Sequence, residues 1–113
     1  MQEIMDRIRK FRDDRDWMQF HDPKNLAVSI SIEAAELLEL FQWKTTEEAR
    51  CYAAQNKERV SDEIADVAIY LLELTDIVGV DLAEAIEAKL KKNALKYPVE
   101  KAKGVSTKYT DLK

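Results

Sequence analysis

Two pairs of carboxylates stand at the same spacing in this chain: Glu33-x-x-Glu36 and Glu63-x-x-Asp66. On a helix, which advances about 100° per residue, the members of each pair lie roughly 60° apart on one side. Leu40 projects between the first two, and Tyr70 and Leu74 project between the second two, so each pair shares a face with large apolar side chains. A solvated acidic face normally lies opposite the apolar stripe, with Lys or Arg three or four residues away. No Lys or Arg occurs from Asn25 to Trp43, nor from Ser61 to Leu82. Four carboxylates gathered in a partly buried assembly repel one another and need compensating charge or protons. Divalent cations supply that charge, and an oxygen-only donor set favours Mg²⁺, Mn²⁺ or Ca²⁺ over zinc. The competing reading is plain surface charge, the usual fate of a lone E-x-x-E. Two such pairs on apolar faces weigh against it.

The elements that must position these acids are helices. Ala, Leu, Glu, Lys and Ile are frequent, and Gly and Pro number only two each, so few positions can start or stop an element. Four helical segments follow from periodicity and punctuation. The first runs from about Gln2 to Arg15, with Ile4, Met5, Ile8 and Phe11 on one stripe. A connection, Asp16 to Asp22, carries Trp17, Phe20 and His21. The second helix starts near Pro23, which suits a first-turn position, and continues through Phe41. It has almost no charge between Asn25 and Ile32 and should be largely buried. The third begins after Thr45, with Glu48 completing a capping box. It runs to Gly79, unbroken or with a break near Asn56. The fourth begins at Asp81, with Glu84 as capping-box partner, and ends before Pro98. The polar, basic remainder reads as an extended tail. The expected architecture is all-α, a four-helix bundle-like single domain over residues 1–113, with about 98–113 as the tail.

Composition removes several function classes. A net charge of −4 argues against a surface for duplex nucleic acid, which needs clustered Lys and Arg. It leaves small anionic ligands open, because bound metal reverses the local sign. Cys51 is the only cysteine, so no intrachain disulfide forms, which suits a reducing cytoplasm. The most apolar stretch, Ile64 to Val80, is interrupted by Asp66, Glu73 and Asp76 and is no membrane span.

With these residues in place, the acidic quartet resembles the metal-binding signature of the MazG-like, all-α nucleotide pyrophosphohydrolases. The flanking text is closer still. Arg15-Asp16-Trp17, Phe20-His21, Pro23-Lys24-Asn25-Leu26, Glu39-Leu40-Phe41-Gln42-Trp43-Lys44, Tyr97-Pro98 and Lys108-Tyr109-Thr110-Asp111 resemble the dCTP pyrophosphatase branch, including its compact bacterial and integron-borne members. The resemblance covers nearly the whole chain. It implies hydrolysis of a nucleoside triphosphate to monophosphate and pyrophosphate with Mg²⁺, Mn²⁺ being a substitute. Glu33, Glu36, Glu63 and Asp66 would hold the metal; the resemblance does not fix which carboxylate takes the proton of the attacking water, Glu36 being one candidate and Glu39, behind the ligands, the alternative. The substrate would be dCTP or a modified dCTP, in a house-cleaning role. A broader preference including dATP, or a non-catalytic nucleotide-binding module, are the alternatives.

The same resemblance extends to a substrate site. Trp17 and Trp43 would enclose the base, a use that suits flat apolar rings, with core or interface packing as the alternative. His21 would line the base pocket unless it is structural. Tyr70 would border the sugar or phosphate unless it is core. Lys89, Asn93 and Lys96 share one helical face and would meet phosphate oxygens, although a solvated face is common for lysines. Lys96 stands where an arginine is common and lacks its bidentate fork. The segment from Trp43 to Glu63 is shorter than in the animal enzymes. Resemblance and small size together imply a homo-oligomer, a tetramer arranged as a dimer of dimers.

Overall fold

The computed structural model describes residues 1–113. It is all-helical. The helices are α1 (Gln2–Asp14), α2 (Pro23–Glu39), α3 (Thr46–Gln55), α4 (Lys57–Val78), α5 (Leu82–Lys96) and the single-turn α6 (Val99–Ala102). Short 3₁₀ turns span Met18–Phe20 and Tyr109–Asp111. No helix is long and apolar enough to cross a membrane. The chain divides into two compact units, Met1–Gly79 and Val80–Lys113.

In the first unit α4 is the hub. It packs most extensively along α2, and α1 and α3 also touch it. Leu26, Leu40 and Leu72 are buried on these elements, with Ile8 from α1. An ionic contact reinforces the α1–α4 seam. Asp76 accepts hydrogen bonds from Arg9 Nε at 3.0 Å and from Arg12 Nη1 at 3.3 Å. The Arg12 side chain is buried, and Asp13 accepts a second bond from its Nε at 2.9 Å. Arg9, followed by Arg12, holds the Asp76 carboxyl below the usual carboxylate range.

Local chemistry explains the boundaries. Asp22 caps α2, its side chain accepting from Asn25 N at 2.8 Å, and Pro23 occupies the first turn. Thr45 and Glu48 form both halves of a capping box on α3. Asp81 accepts from Glu84 N at 3.0 Å, but the reciprocal half expected from Glu84 is not formed. The helical run after Thr45 breaks at Asn56, whose side chain donates to Tyr52 O at 3.0 Å. α1 closes through Asp16, a non-glycine residue at φ 55. Trp17 N and Asp16 N donate to Arg12 O and Asp13 O at 3.0 and 3.1 Å, the paired bonds of a left-handed helix stop.

Two expectations need correction. α2 is not largely buried in this chain: Leu26 is its only buried residue, while Val28 and Ile32 are about half exposed. One helix, α4, provides most of its cover, and a single neighbour shields one side only. Nor is the C-terminal segment simply extended. In the second unit Tyr97 and Tyr109 meet edge to face with centroids 6.0 Å apart, and Lys96 Nζ lies 4.7 Å from the Tyr109 ring centre. These contacts return the segment to the end of α5.

Gly79 ends α4 at φ 72 with open space around a would-be Cβ. Gly79→Ala therefore meets backbone strain and no clash. The expected loss is about 1 kcal/mol, read from urea denaturation midpoints.

Candidate metal centre

The α2–α4 pairing brings the acids together. Glu33 and Glu36 from α2 and Glu63 from α4 each offer a carboxylate oxygen, all within 4.8 Å of one another. All three are half-buried. Asp66 is more exposed and lies outside this close group, yet its charge acts on Glu33, Glu63 and Tyr70.

The electrostatics are those of an uncompensated anionic cluster. The Glu33 carboxyl is pushed up to about 7, by burial first and then by Glu36, Asp66 and Glu63. Glu63 is pushed up by burial, then by Glu36 and Asp66. Arg59, one turn earlier on α4, draws Glu63 back down. The span from Ser61 to Leu82 lacks Lys and Arg, but Arg59 stands just before it, four residues from Glu63, where a helical partner belongs. Glu33 Oε2 and Glu63 Oε2 are buried and accept no hydrogen bond. Orphaned, oxygen-only donors converging from two helices fit a hard divalent cation.

Around the cluster, Tyr70 is half-buried, and its hydroxyl is pushed up by burial, then by Glu33, Glu73, Asp66 and Glu36. The Tyr70 ring meets His21 edge to face, centroids 6.4 Å apart. Trp17 packs edge to face on Phe11 at 5.7 Å and stays partly exposed. Trp43, after α2, is 89% exposed and covers no core, so core packing within this chain does not explain it. Lys89, Asn93 and Lys96 lie on α5 in the second unit. Glu73 was not singled out as a site residue. It is buried on α4, with Oε1 3.5 Å from His21 Nδ1. The signal was an acid inside the most apolar stretch of the sequence.

A sequence model of the MazG-like family matches residues 28–112, which include all four acids. The chain belongs to the MazG-like family. Among relatives of this MazG-like chain is dCTP pyrophosphatase 1 of Rattus norvegicus, 45% identical over 105 residues, covering 91% of this chain and 62% of that protein. The Homo sapiens dCTP pyrophosphatase 1 is 42% identical over the same shares. The chain thus spans about 62% of the length of these curated relatives. A crystal structure of a pyrophosphatase from Archaeoglobus fulgidus superposes with a TM-score of 0.84 at 52% identity, covering 87% of this chain and 92% of that one.

A carboxyl that holds its proton more tightly folded than unfolded loses stability as pH rises, for Glu33 between about 4.5 and 7. The metal-free protein should therefore melt at lower temperature at pH 7.5 than at pH 5. His21, pushed down by burial and then by Arg12, works in the opposite sense, so the comparison must isolate Glu33. Glu33→Gln is expected to flatten much of the fall in a melting series. An unaltered slope would refute the account of Glu33.

Proposed function

We propose that this protein hydrolyses a deoxynucleoside triphosphate, dCTP or a modified dCTP, to the monophosphate and pyrophosphate with Mg²⁺. The observation that carries the reading is the trio of carboxylate oxygens within 4.8 Å, two of the three side chains having an unpartnered buried oxygen. The names of the relatives supply the reaction class, and residues 1–113 are read as one nucleotide-hydrolysing domain.

In this reading Glu33, Glu36 and Glu63 hold Mg²⁺, with Asp66 completing the set from the next turn of α4. When bound, such an ion neutralises and orients a triphosphate and acidifies water, and Mn²⁺ can substitute. Glu36 takes the proton of the water that attacks the α-phosphorus, pyrophosphate being the leaving group. Trp17, His21, Trp43 and Tyr70 contact the nucleoside. Trp43 suits stacking because its ring is already free of core contacts. Lys89, Asn93 and Lys96 are read as phosphate-binding residues, with two positive charges and an amide on one helix. A cytoplasmic setting accords with the single free thiol, Cys51.

A panel of canonical and modified triphosphates, assayed with and without Mg²⁺, tests the reaction. Monophosphate and pyrophosphate are the expected products. Release of orthophosphate from the triphosphate, or turnover indifferent to metal, would sink the reading. Glu36→Gln and Asp66→Asn should each lower turnover on the order of 100-fold or more while the helical circular dichroism persists.

Assembly belongs to the same proposal: a homo-oligomer, a tetramer built as a dimer of dimers. Its support is the apolar surface left on two helices of the first unit, Val28 and Ile32 on α2 and Ile64 and Ile69 on α4. Light scattering on the eluting protein should give four times the 13.1 kDa chain mass, or twice it for the dimer alone. A single-chain mass at micromolar concentration would overturn this part.

A further inference from the structure

The chain contains one histidine, and it faces a carboxylate that the metal centre does not use. His21 Nδ1 lies 3.5 Å from Glu73 Oε1, with the two side chains 11% and 5% exposed. Nδ1 is buried and makes no hydrogen bond, its approach to Glu73 being too long for one. Glu73 in turn pairs with no Lys or Arg, because Arg12 is committed to Asp13 and Asp76. Each is the other's only oppositely charged neighbour within 4 Å if His21 takes up a proton. They sit beside Tyr70, which borders the carboxylate cluster.

Burial, and then the charge of Arg12, push the His21 imidazole down and favour its neutral form. A neutral imidazole carries one proton and must place it on one nitrogen or the other. Burial pushes the Glu73 carboxyl up and the charge of Arg12 draws it back down. In its ionised form the carboxylate only accepts, so a bare Nδ1 facing it would set two lone pairs against each other in a buried place. Protonating Nδ1 removes that conflict and turns the contact into a hydrogen bond. Nε2 then carries the free lone pair.

We propose that Glu73 is a positioning residue for base recognition: it fixes His21 as the Nδ1–H tautomer, so that Nε2 accepts a hydrogen bond from the exocyclic amine of a cytosine- or adenine-type base. This rests on the reading of His21 as a nucleoside contact and deepens it from a contact to a rule of selection. Bases with a keto oxygen at that position, thymine and uracil, offer Nε2 no donor and leave both acceptors unpaired. A purely structural buried pair would contribute to stability and have no such preference.

The single histidine makes the test unambiguous. Nitrogen-15 NMR of the nucleotide-free, metal-free protein reads which ring nitrogen is protonated. The wild type should be protonated at Nδ1. Glu73→Gln should keep that tautomer, its amide oxygen still accepting, and Glu73→Leu should move the proton to Nε2. In Mg²⁺-supported assays Glu73→Leu should raise KM for dCTP about tenfold, with kcat and the KM for dTTP unchanged, about the worth of one hydrogen bond. Glu73→Gln should retain the wild-type preference. A wild-type proton on Nε2 overturns the proposal even if Glu73→Leu does not fold. So does a Leu variant whose tautomer or whose dCTP-to-dTTP ratio matches the wild type. A wild type that hydrolyses no triphosphate defeats the earlier reading instead, and the tautomer is scored without nucleotide.

Discussion

The packing of α2 against α4 sets two tendencies against each other. Burying Leu26, Leu40 and Leu72 draws the helices together. The same approach forces the carboxylates of Glu33, Glu36 and Glu63 within 4.8 Å, where their charges repel. The core cannot form without assembling the cluster. The conflict pushes the Glu33 carboxyl up to about 7 and leaves an oxygen of Glu33 and one of Glu63 without a partner. Apolar burial thus sustains a local electrostatic strain that a cation would relieve.

α4 distributes this strain along its length. Glu63, Asp66, Tyr70, Glu73 and Asp76 follow one another at three and four residues, a polar line running through the apolar stretch of α4. At one end the line gathers acids from α2. At the other, Asp76 is neutralised by Arg9 and Arg12, which tie α1 to the hub. Between them, Glu73 receives His21 from the α1–α2 connection. Each element of the first unit that brings a proposed site residue to α4 is also anchored on that helix.

Much of this was legible because helix boundaries are local chemistry. Pro23, the Thr45–Glu48 box and Gly79 act through neighbours a few residues away, so spacing alone located them. The acidic pairs were legible for a related reason: period and composition put acids on apolar faces. Partnerships across the fold were not. Nothing local says that Asp76 meets Arg9 and Arg12, 67 and 64 residues away, or that Glu73 meets His21. Those contacts exist only once α1 and the following connection are laid on α4. The apolar run of α2 reports a preference for cover and does not say that the same chain provides it, so its exposure is not legible in the sequence.

The connection from Arg15 to Asp22 is short but heavily stitched. Besides the bonds that close α1, Gln19 Nε2 donates to Asp16 O at 2.9 Å and Asn25 Nδ2 to Phe20 O at 3.1 Å. Phe20 N and His21 N donate to Trp17 O and Met18 O at 2.9 and 3.0 Å. An aspartate in place of glycine at the left-handed position narrows what the unfolded chain can sample there. The loop's conformational entropy is therefore surrendered during folding, and a ligand that met Trp17 and His21 as proposed would have little ordering left to impose. Such preorganisation favours affinity without any added contact.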